Sequence, residues 1–451
     1  MVEQRLSRFP QSPFVLLIAI VAAIGGLLFG YDTGAISGAL LYISRDFALT
    51  PFEEEIVVSV LLLCAAISAI FAGRLTDRFG RKKMVIVAAA LFFVGASAMA
   101  VAPHLYWLIF GRAFAGFAIG VASMTVPLYV SELSPPSVRG FCVTLNQLLV
   151  TVGILIAYGV DYGFSHTGNW HAMLGISAIP SAILFVLMFF LPETPRWLVM
   201  KGKVSLAKKV LSKISDSDVE GTVEKIHRQS EVQSVHFKEL FSPRYKSALF
   251  AGVLLAIFQQ VTGVNTVIYY APTIFSLGGA SSDTAAIVST VGVGVVNVVF
   301  TVISLFLIDR VGRRPLLLIG TFLMALGLGS LGYGTQFVGH EEWVSWLVHI
   351  SLFVYIAGFA IGLGPIAWLF IAEIYPLQAR GKAMSCATTA NWGINFLVAF
   401  TFLTLLQRIG ASATFYLYAG ICMVAWFYIL AKIPETKDKT LEEIEFLFRR
   451  R

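Results

Sequence analysis

Twelve stretches of this chain are apolar almost without interruption, and polar residues gather between them. The stretches run over 14–38, 55–74, 84–103, 105–131, 139–161, 171–192, 247–275, 284–308, 316–337, 345–374, 381–406 and 412–432. Each is close to or longer than the roughly 20 residues that a helix needs to cross a hydrocarbon layer about 30 Å thick. The pattern predicts an all-α membrane protein with twelve transmembrane helices.

Composition agrees. With 57% hydrophobic residues, 13% charged residues and a mean hydropathy of +0.80, the 451-residue chain lies far outside the range of soluble globular proteins. Charge then orients it, because Lys and Arg are retained on the cytoplasmic side of short loops. With both termini inside, only Arg45 and Arg408 fall outside and Arg112 falls within a span, which leaves thirty of the 33 basic residues cytoplasmic. The net charge of +7 is thus a topology signal. It is spread over many loops and implies no nucleic acid as partner.

Cys64, Cys142, Cys386 and Cys422 all lie inside predicted helices, without a CxxC or a ligand-like spacing to histidine, so neither disulfide nor metal is implied, and no cofactor. The first apolar run is too long for a cleavable signal peptide and eleven more follow it. No Asn-x-Ser/Thr sequon occurs, which favours a bacterial inner membrane.

The chain also repeats itself. "LTDRFGRK" at 75–82 recurs as "LIDRVGRR" at 307–314, and "GFAIG" at 116–120 recurs unchanged at 358–362. "ELSPPSVRG" at 132–140 answers "EIYPLQARG" at 373–381, and "PETPR" at 192–196 answers "PETK" at 434–437. Offsets of 232 to 242 residues make two six-helix halves in parallel repeat. The expected divisions are an N-terminal bundle over 1–192, a cytoplasmic linker over 193–246, a C-terminal bundle over 247–432 and a cytoplasmic tail over 433–451. Within the linker, "VSLAKKVLSKI" at 204–214 is amphipathic and predicts a short helix.

"GRLTDRFGRKK" at 73–83 resembles the loop signature of the major facilitator superfamily. "PETPRWL" at 192–198, "QQVTGVNTVIYYAP" at 259–272 and "PETKDKTLEEIE" at 434–445 resemble its sugar porter branch, so that the likeness covers essentially the whole chain. That branch includes proton-driven bacterial symporters for xylose, arabinose, galactose and glucose, and the glucose facilitators of animals.

Polar residues inside the spans point the same way. Gln147, Gln259, Gln260, Asn265, Asn297, Asn391 and Asn395 are amides in apolar helices, costly unless satisfied, and an amide both donates to and accepts from a sugar hydroxyl. Amides can also simply bond neighbouring helices. Asn265 and Tyr269 share a helix face, whereas Gln260 lies about 140° from Asn265 on an unbroken helix. A seventh span interrupted at Gly263, with Pro272 weakening its far end, would let both amides face one cavity.

Trp368 closes "GLGPIAW", which makes the tenth span bendable, and Trp392 lies inside the eleventh. An indole can cover the apolar face of a sugar. By resemblance, Gln147, Gln259, Gln260, Asn265, Tyr269, Asn297, Trp368 and Asn391 bind sugar, with Phe29 and Trp392 walling the pocket. Asn391 stands where several family members have Gln or Ser, and His171 where arginine is usual. Ile154, two turns from Gln147, suggests by resemblance a pocket of the glucose type, although the residues do not say which monosaccharide is carried.

Asp32, in "GYDTGAISG", is the only charge between Arg8 and Arg45. A lone carboxylate at a helix centre costs about 2.5–3.5 kcal/mol on insertion scales, so it should be protonated or find a cation. Arg112 is the candidate cation. A pair that forms when Asp32 is ionised and parts when it is protonated is a proton-biased switch; the alternative is a permanent structural ion pair. By resemblance, proton-coupled sugar porters carry aspartate here and animal facilitators carry asparagine.

Asp77, Arg78 and Arg81, their mates Asp309, Arg310 and Arg313, and the Glu132/Arg139 and Glu373/Arg380 sets lie near cytoplasmic helix ends. The resemblance implies gating salt bridges. Positive-inside topology accounts for the basic residues but not for acidic partners repeated in both halves.

The expected function is a proton-coupled symporter that imports a monosaccharide by alternating access, working as a monomer in the bilayer. A passive facilitator is the alternative, and a nutrient sensor on the same fold a further one. An enzyme is not expected: HExxH, GxSxG and Walker motifs are all absent, and "GLGSLG" at 327–332 lies inside an apolar helix, where it reads as close packing.

Overall fold

A computed structural model describes residues 13–135, 138–214, 219–231, 236–337, 343–376, 378–437, 439 and 441–449. Parts of the expected linker (215–218, 232–235) and tail (438, 440, 450–451) lie outside the described residues. The helices are α1 (Pro13–Asp46), α2 (Pro51–Phe79), α3 (Arg81–Ala100), α4 (Leu105–Leu133), α5 (Arg139–Phe164), α6 (Trp170–Gly175), α7 (Ala178–Phe190), α8 (Pro195–Met200), α9 (Val204–Ile214), α10 (Val219–Glu231), α11 (Pro243–Val261), α12 (Val264–Tyr269), α13 (Ala271–Leu277), α14 (Asp283–Val311), α15 (Arg313–Gly334), α16 (Trp343–Ile361), α17 (Leu363–Ile374), α18 (Arg380–Ile409), α19 (Ala411–Lys432) and α20 (Leu441–Arg449). Among the described residues there is no strand.

Among the described residues twelve helical segments are long and apolar enough to cross a membrane, the number the sequence predicts. An even number of crossings brings the chain back to the face from which it started, here the terminal face. Several helices outrun the apolar windows: α1 continues to Asp46 and not 38, α2 begins at Pro51 and not 55, and α5 reaches Phe164 and not 161. Apolarity marks only what hydrocarbon must cover, whereas helical hydrogen bonding continues as long as the ends are capped. The start of α2 is such a cap. Thr50 donates to the Glu53 carboxylate from its N–H and its hydroxyl, both at 2.8 Å, and Glu53 returns its own N–H to the Thr50 hydroxyl at 3.4 Å, a capping box with Pro51 at the first helical position.

The chain divides into two compact units. One comprises residues 1–32, 64–153 and 175–234; the other comprises 33–63, 154–174 and 235–451. The first contains the linker helices α8–α10, anchored where the Trp197 indole N–H donates to the Asp77 carbonyl at 3.0 Å and where Trp197, Leu198, Val199 and Ala207 pack together. α1 meets α5 in this unit through small residues. A Cβ on Gly30 would stand 1.9 Å from the carbonyl oxygen of Val150, so only glycine permits this approach. In the second unit the α1–α5 seam continues, Gly34 against Ile154 and Ala157, Gly38 against Asp161.

Three spans are interrupted. The sixth consists of α6 and α7, the seventh of α11 and α12, with α13 following it, and the tenth of α16 and α17. In the seventh, Gly263 adopts a left-handed φ of 88°, which starts α12 in a new direction at the interruption expected there. In the tenth, Gly362 separates the two helices.

Candidate functional site

The interruptions of the seventh and tenth spans free backbone carbonyls, and three of them find side-chain donors. Pro365 has no N–H for the carbonyl of Ile361, four residues back, and the Ser304 hydroxyl of α14 donates to it at 3.0 Å. Pro272 likewise leaves Ile268 without its helical donor, and the Tyr158 hydroxyl of α5 supplies one at 3.0 Å. At the end of α11 the Thr262 carbonyl accepts from the Tyr355 hydroxyl at 2.9 Å. Broken helices within a membrane thus stay satisfied from neighbouring spans.

The amides of the second unit form a relay across α11, α12, α17 and α18. Asn265 donates to Gln260 Oε1 at 2.8 Å, Gln260 to Asn391 Oδ1 at 3.1 Å, and Asn391 to Gln259 Oε1 at 2.8 Å. Gln259 ends the chain by donating to the carbonyls of Leu363 and Gly364 at 2.8 and 3.3 Å. Asn391 also donates to the Ala256 carbonyl at 2.9 Å, and Asn395 reaches the Tyr269 hydroxyl at 3.5 Å. The bend at Gly263 lets Asn265 meet Gln260, a contact that 140° of separation would forbid on a straight helix.

Asn297, 3% exposed on α14, has a buried Oδ1 without a hydrogen-bond partner among the described residues. Trp392 is buried on α18 and Trp368 half-buried on α17. Phe29 and Gln147 belong to the other compact unit, half-buried on α1 and α5.

In that unit Asp32 and Arg112 meet. Arg112 Nη1 lies 3.1 Å from Asp32 Oδ2, and the side chains are 1% and 4% exposed, respectively. An attraction on the order of 5 kcal/mol follows for this separation at an effective dielectric of about 20. Desolvation costs several kcal/mol per ion and offsets much of that attraction.

The terminal-face charges form two clusters with matching geometry. Arg81 binds Glu132 Oε2 at 3.0 Å and Asp77 at 3.1 Å, and Arg313 binds Glu373 at 3.0 Å and Asp309 at 3.7 Å. In the first cluster the Glu193 carboxylate accepts the N–H groups of Arg81 and Lys82 at 3.1 Å each. Glu435 does the same for Arg313 and Arg314 at 3.0 Å each. Each of these ion pairs joins residues of one compact unit. Arg78 and Arg310 are exposed, Arg380 donates to the Tyr375 carbonyl at 3.1 Å, and Arg139 stands at the start of α5. Glu193 and Glu435 belong to the repeated "PET" that marked the repeat, yet only the fold reveals them as caps.

Two further buried carboxylates were not singled out from sequence. Glu55, fully buried on α2, accepts from the Thr404 N–H at 2.7 Å and the Thr404 hydroxyl at 2.8 Å. Asp161 on α5, 1% exposed, accepts the Gly38 N–H at 3.1 Å. Their signal was an acidic residue at the very edge of an apolar window, where hydropathy reads loop. With Tyr158–Ile268 and an Arg45–Asp283 ion pair, Glu55–Thr404 ties α1, α2 and α5 to α12, α14 and α18 on the face opposite the termini. His171 stacks on Trp170 with ring centroids 3.6 Å apart, and the Trp170 indole donates to Asp46 at 2.7 Å.

Twelve spans with interrupted helices, an intramembrane amide relay and a buried acid–base pair define a membrane transporter rather than an enzyme. The family model for "Sugar (and other) transporter" matches residues 18–448, and the chain belongs to that family. It is 40% identical over 433 residues to the galactose-proton symporter of Escherichia coli K12, covering 95% of this chain and 93% of that one. To the arabinose-proton symporter of the same strain it is 41% identical over 443 residues, covering 95% and 92%. An inward-open structure of the xylose transporter XylE from E. coli superposes with a TM-score of 0.82 at 30% identity, over 96% of this chain and 99% of the other.

Proposed function

We propose that the protein is a proton-coupled symporter that imports a monosaccharide, a hexose such as glucose or galactose or a pentose such as xylose, by alternating access across a bacterial inner membrane. The observation that carries the reading is the buried Asp32–Arg112 pair. A facilitator needs no such pair, whereas a symporter needs a group whose charge changes inside the membrane. Protonation of the Asp32 carboxylate neutralises it and loosens its hold on the Arg112 guanidinium; loss of the proton to the other side restores the pair.

The sugar is held by the amide relay around Gln259, Gln260, Asn265 and Asn391, with Asn297, Tyr269, Trp368 and Trp392 from the same unit; Gln147 and Phe29 are the sugar-contacting candidates of the first unit. Replacing one amide–amide bond with two amide–hydroxyl bonds changes little net free energy, since each such exchange is worth only about 0.5–1.5 kcal/mol. Binding is therefore reversible, as transport requires. The residues 1–192 and 247–432 act as the two halves, the terminal face is cytoplasmic by its excess of Lys and Arg, and the monomer holds one complete pathway with no nucleic acid involved.

Radiolabelled glucose uptake into proteoliposomes, with and without an inward proton gradient, tests this in wild type and Asp32→Asn. The expected result is gradient-driven accumulation by the wild type and simple equilibration by the variant. Equilibration by both, unaffected by the gradient, would instead make the protein a facilitator and Asp32 a structural partner of Arg112. Xylose, galactose and arabinose in the same assay identify the substrate.

A further inference from the structure

The outward side of α15 carries a trough that neither the sugar site nor the terminal-face charges use. α15 packs on its neighbours through glycines: a Cβ on Gly327 would stand 2.6 Å from the Ser351 carbonyl oxygen of α16, and one on Gly332 would stand 3.2 Å from the Ser412 carbonyl oxygen of α19. Gly329 has no such neighbour, and a Cβ there meets nothing within 4 Å. The flanking helices project large side chains on this side, Trp343 and Leu347 from α16 and Tyr416 from α19. Between them lies a cavity of about 620 Å³ with Ala325, Gly329 and Ser330 in its floor. That volume lies within the roughly 300–1,000 Å³ of small-molecule sites. Leu326, Tyr333, Trp343 and Tyr416 are exposed along it, so the trough is open on the side away from the bundle.

α15 starts at the terminal-face cluster of Arg313 and ends at Gly334, so Ala325 to Tyr333 lies in the leaflet opposite the termini. Eight residues of helix rise about 12 Å. Half of a hydrocarbon layer about 30 Å thick is about 15 Å, so the trough runs most of the depth of one leaflet. Its outer end is polar. The Gln336 amide donates to the Ser412 hydroxyl at 3.0 Å and to the Tyr416 hydroxyl at 3.3 Å, which leaves the Tyr416 phenol its own proton to give. Tyr333, Trp343 and Tyr416 gather toward that end, and aromatic side chains with a polar tip favour the level of the lipid headgroups. An apolar floor of leaflet depth with hydrogen-bonding groups only at its outer end has the polarity profile of a phospholipid chain and its ester.

We infer that this trough binds one phospholipid of the leaflet opposite the termini, its acyl chain lying along α15 between α16 and α19 and its ester carbonyl accepting from the Tyr416 hydroxyl. Hydrocarbon gains nothing by leaving hydrocarbon, so the hydrophobic effect does not hold the chain. Packing does. A chain in the trough meets side chains on three sides and a chain on a flat helix face on one, and an empty trough forfeits those contacts. A second copy of the protein fits less well, because a helix with its side chains is about 10–12 Å across and the floor is the face of one helix between two taller neighbours. The trough shares no residue with the sugar site, and the inference holds whether the protein is a symporter or a facilitator.

The test is native mass spectrometry of the full-length protein, delipidated in detergent and then given 1-palmitoyl-2-oleoyl-phosphatidylcholine in small excess. Stepwise collisional activation strips bound lipids and counts those that persist. The expected result is one phospholipid that outlasts all others on the wild type. Gly329→Phe, which puts a ring into the trough, should lower its occupancy about tenfold, since the chain and the ring cannot share the space without overpacking. Gly159→Phe places the same ring on α5, where a Cβ also meets nothing within 4 Å, and should keep the lipid. Ser330→Leu provides a second filling variant should Gly329→Phe fail to fold. Tyr416→Phe keeps the ring, removes the donor and should let the lipid go at lower activation. No persistent phospholipid on the wild type, one that the filling variants retain, or equal persistence in Tyr416→Phe overturns the inference. A dimer that Gly329→Phe dissociates would assign the trough to a second copy and overturn it as well. Sugar uptake is no part of this readout, so failure of the symport reading leaves the result intact.

Discussion

The hydroxyl of Tyr158 donates at 3.0 Å to the carbonyl of Ile268, the group that Pro272 leaves without a helical partner. The bond satisfies a carbonyl that would otherwise be orphaned in a fully buried place, and it ties α5 to α12. Tyr158→Phe keeps the ring and removes the donor. A buried acceptor left unsatisfied costs about 1–3 kcal/mol, and here the cost falls only on the closed arrangement. The expected outcome is a several-fold lower half-saturation for sugar entering from the face opposite the termini, because more molecules present an open site there, with maximal uptake no higher than wild type. Initial-rate uptake against sugar concentration checks it, and an unchanged half-saturation would show that the bond does not bias closure.

Gly263 has φ 88°, and a Cβ there would stand 3.3 Å from both Thr266 Oγ1 and the Tyr418 ring. Gly263→Ala costs roughly 1–2 kcal/mol for the left-handed backbone. If the chain relaxes by straightening, Asn265 turns away from Gln260 and the relay loses its first link. We expect sugar affinity to fall about tenfold, with a lower melting temperature in detergent. Gly393→Ala, where a Cβ meets nothing within 4 Å, provides the control and should leave both unchanged.

How far the residues alone led differs from feature to feature. The twelve spans, the repeat, the interruption at Gly263 and the Asp32–Arg112 partnership were readable because each rests on local chemistry or on scarcity: one glycine beside polar residues, one cation for one acid. Partner choice among seven amides was not readable, since any of them can bond any other and only the packing of α11, α12, α17 and α18 selects the order. Asp161 and Glu55 escaped notice for a different reason. Hydropathy ends a span where the first acid stands, but α5 and α2 remain helical past that point and bury the acid against a neighbour. The spacing of Gly26, Gly30, Gly34 and Gly38, four residues apart along one face of α1, was visible, yet its meaning depends on α5 lying against that face.

Gly30 measures how much of the coupling geometry depends on that seam. A methyl group there would overlap the Val150 carbonyl, 1.9 Å away, so α1 must move off α5 by more than 1 Å, carrying Asp32 with it. We expect Gly30→Ala to lose gradient-driven accumulation while the protein still inserts in the membrane. Gly159→Ala, on the open side of α5 with nothing within 4 Å, should behave as wild type. Accumulation by Gly30→Ala at the wild-type level would mean that the Asp32–Arg112 contact tolerates displacement and is not geometrically tuned.

The two terminal-face clusters have the same connections but not the same burial, and this ranks their variants. The Arg81 and Glu132 side chains are each 5% exposed, whereas Arg313 and Glu373 are 14% and 20% exposed. Removing one partner of a buried pair strands the other charge at a cost of about 3–5 kcal/mol, and exposure discounts that cost because water re-solvates the survivor. Thr436 also donates to Glu373 at 2.6 Å, so the second cluster keeps a neutral donor when its arginine is lost. Arg81→Ala and Glu132→Ala should therefore lower the melting temperature and the uptake rate more than Arg313→Ala and Glu373→Ala, with all four proteins reaching the membrane in normal amounts. Normal uptake by Arg81→Ala and Glu132→Ala would remove the clusters from the transport cycle, and equal losses in both halves would mean that symmetry, not burial, sets their contribution.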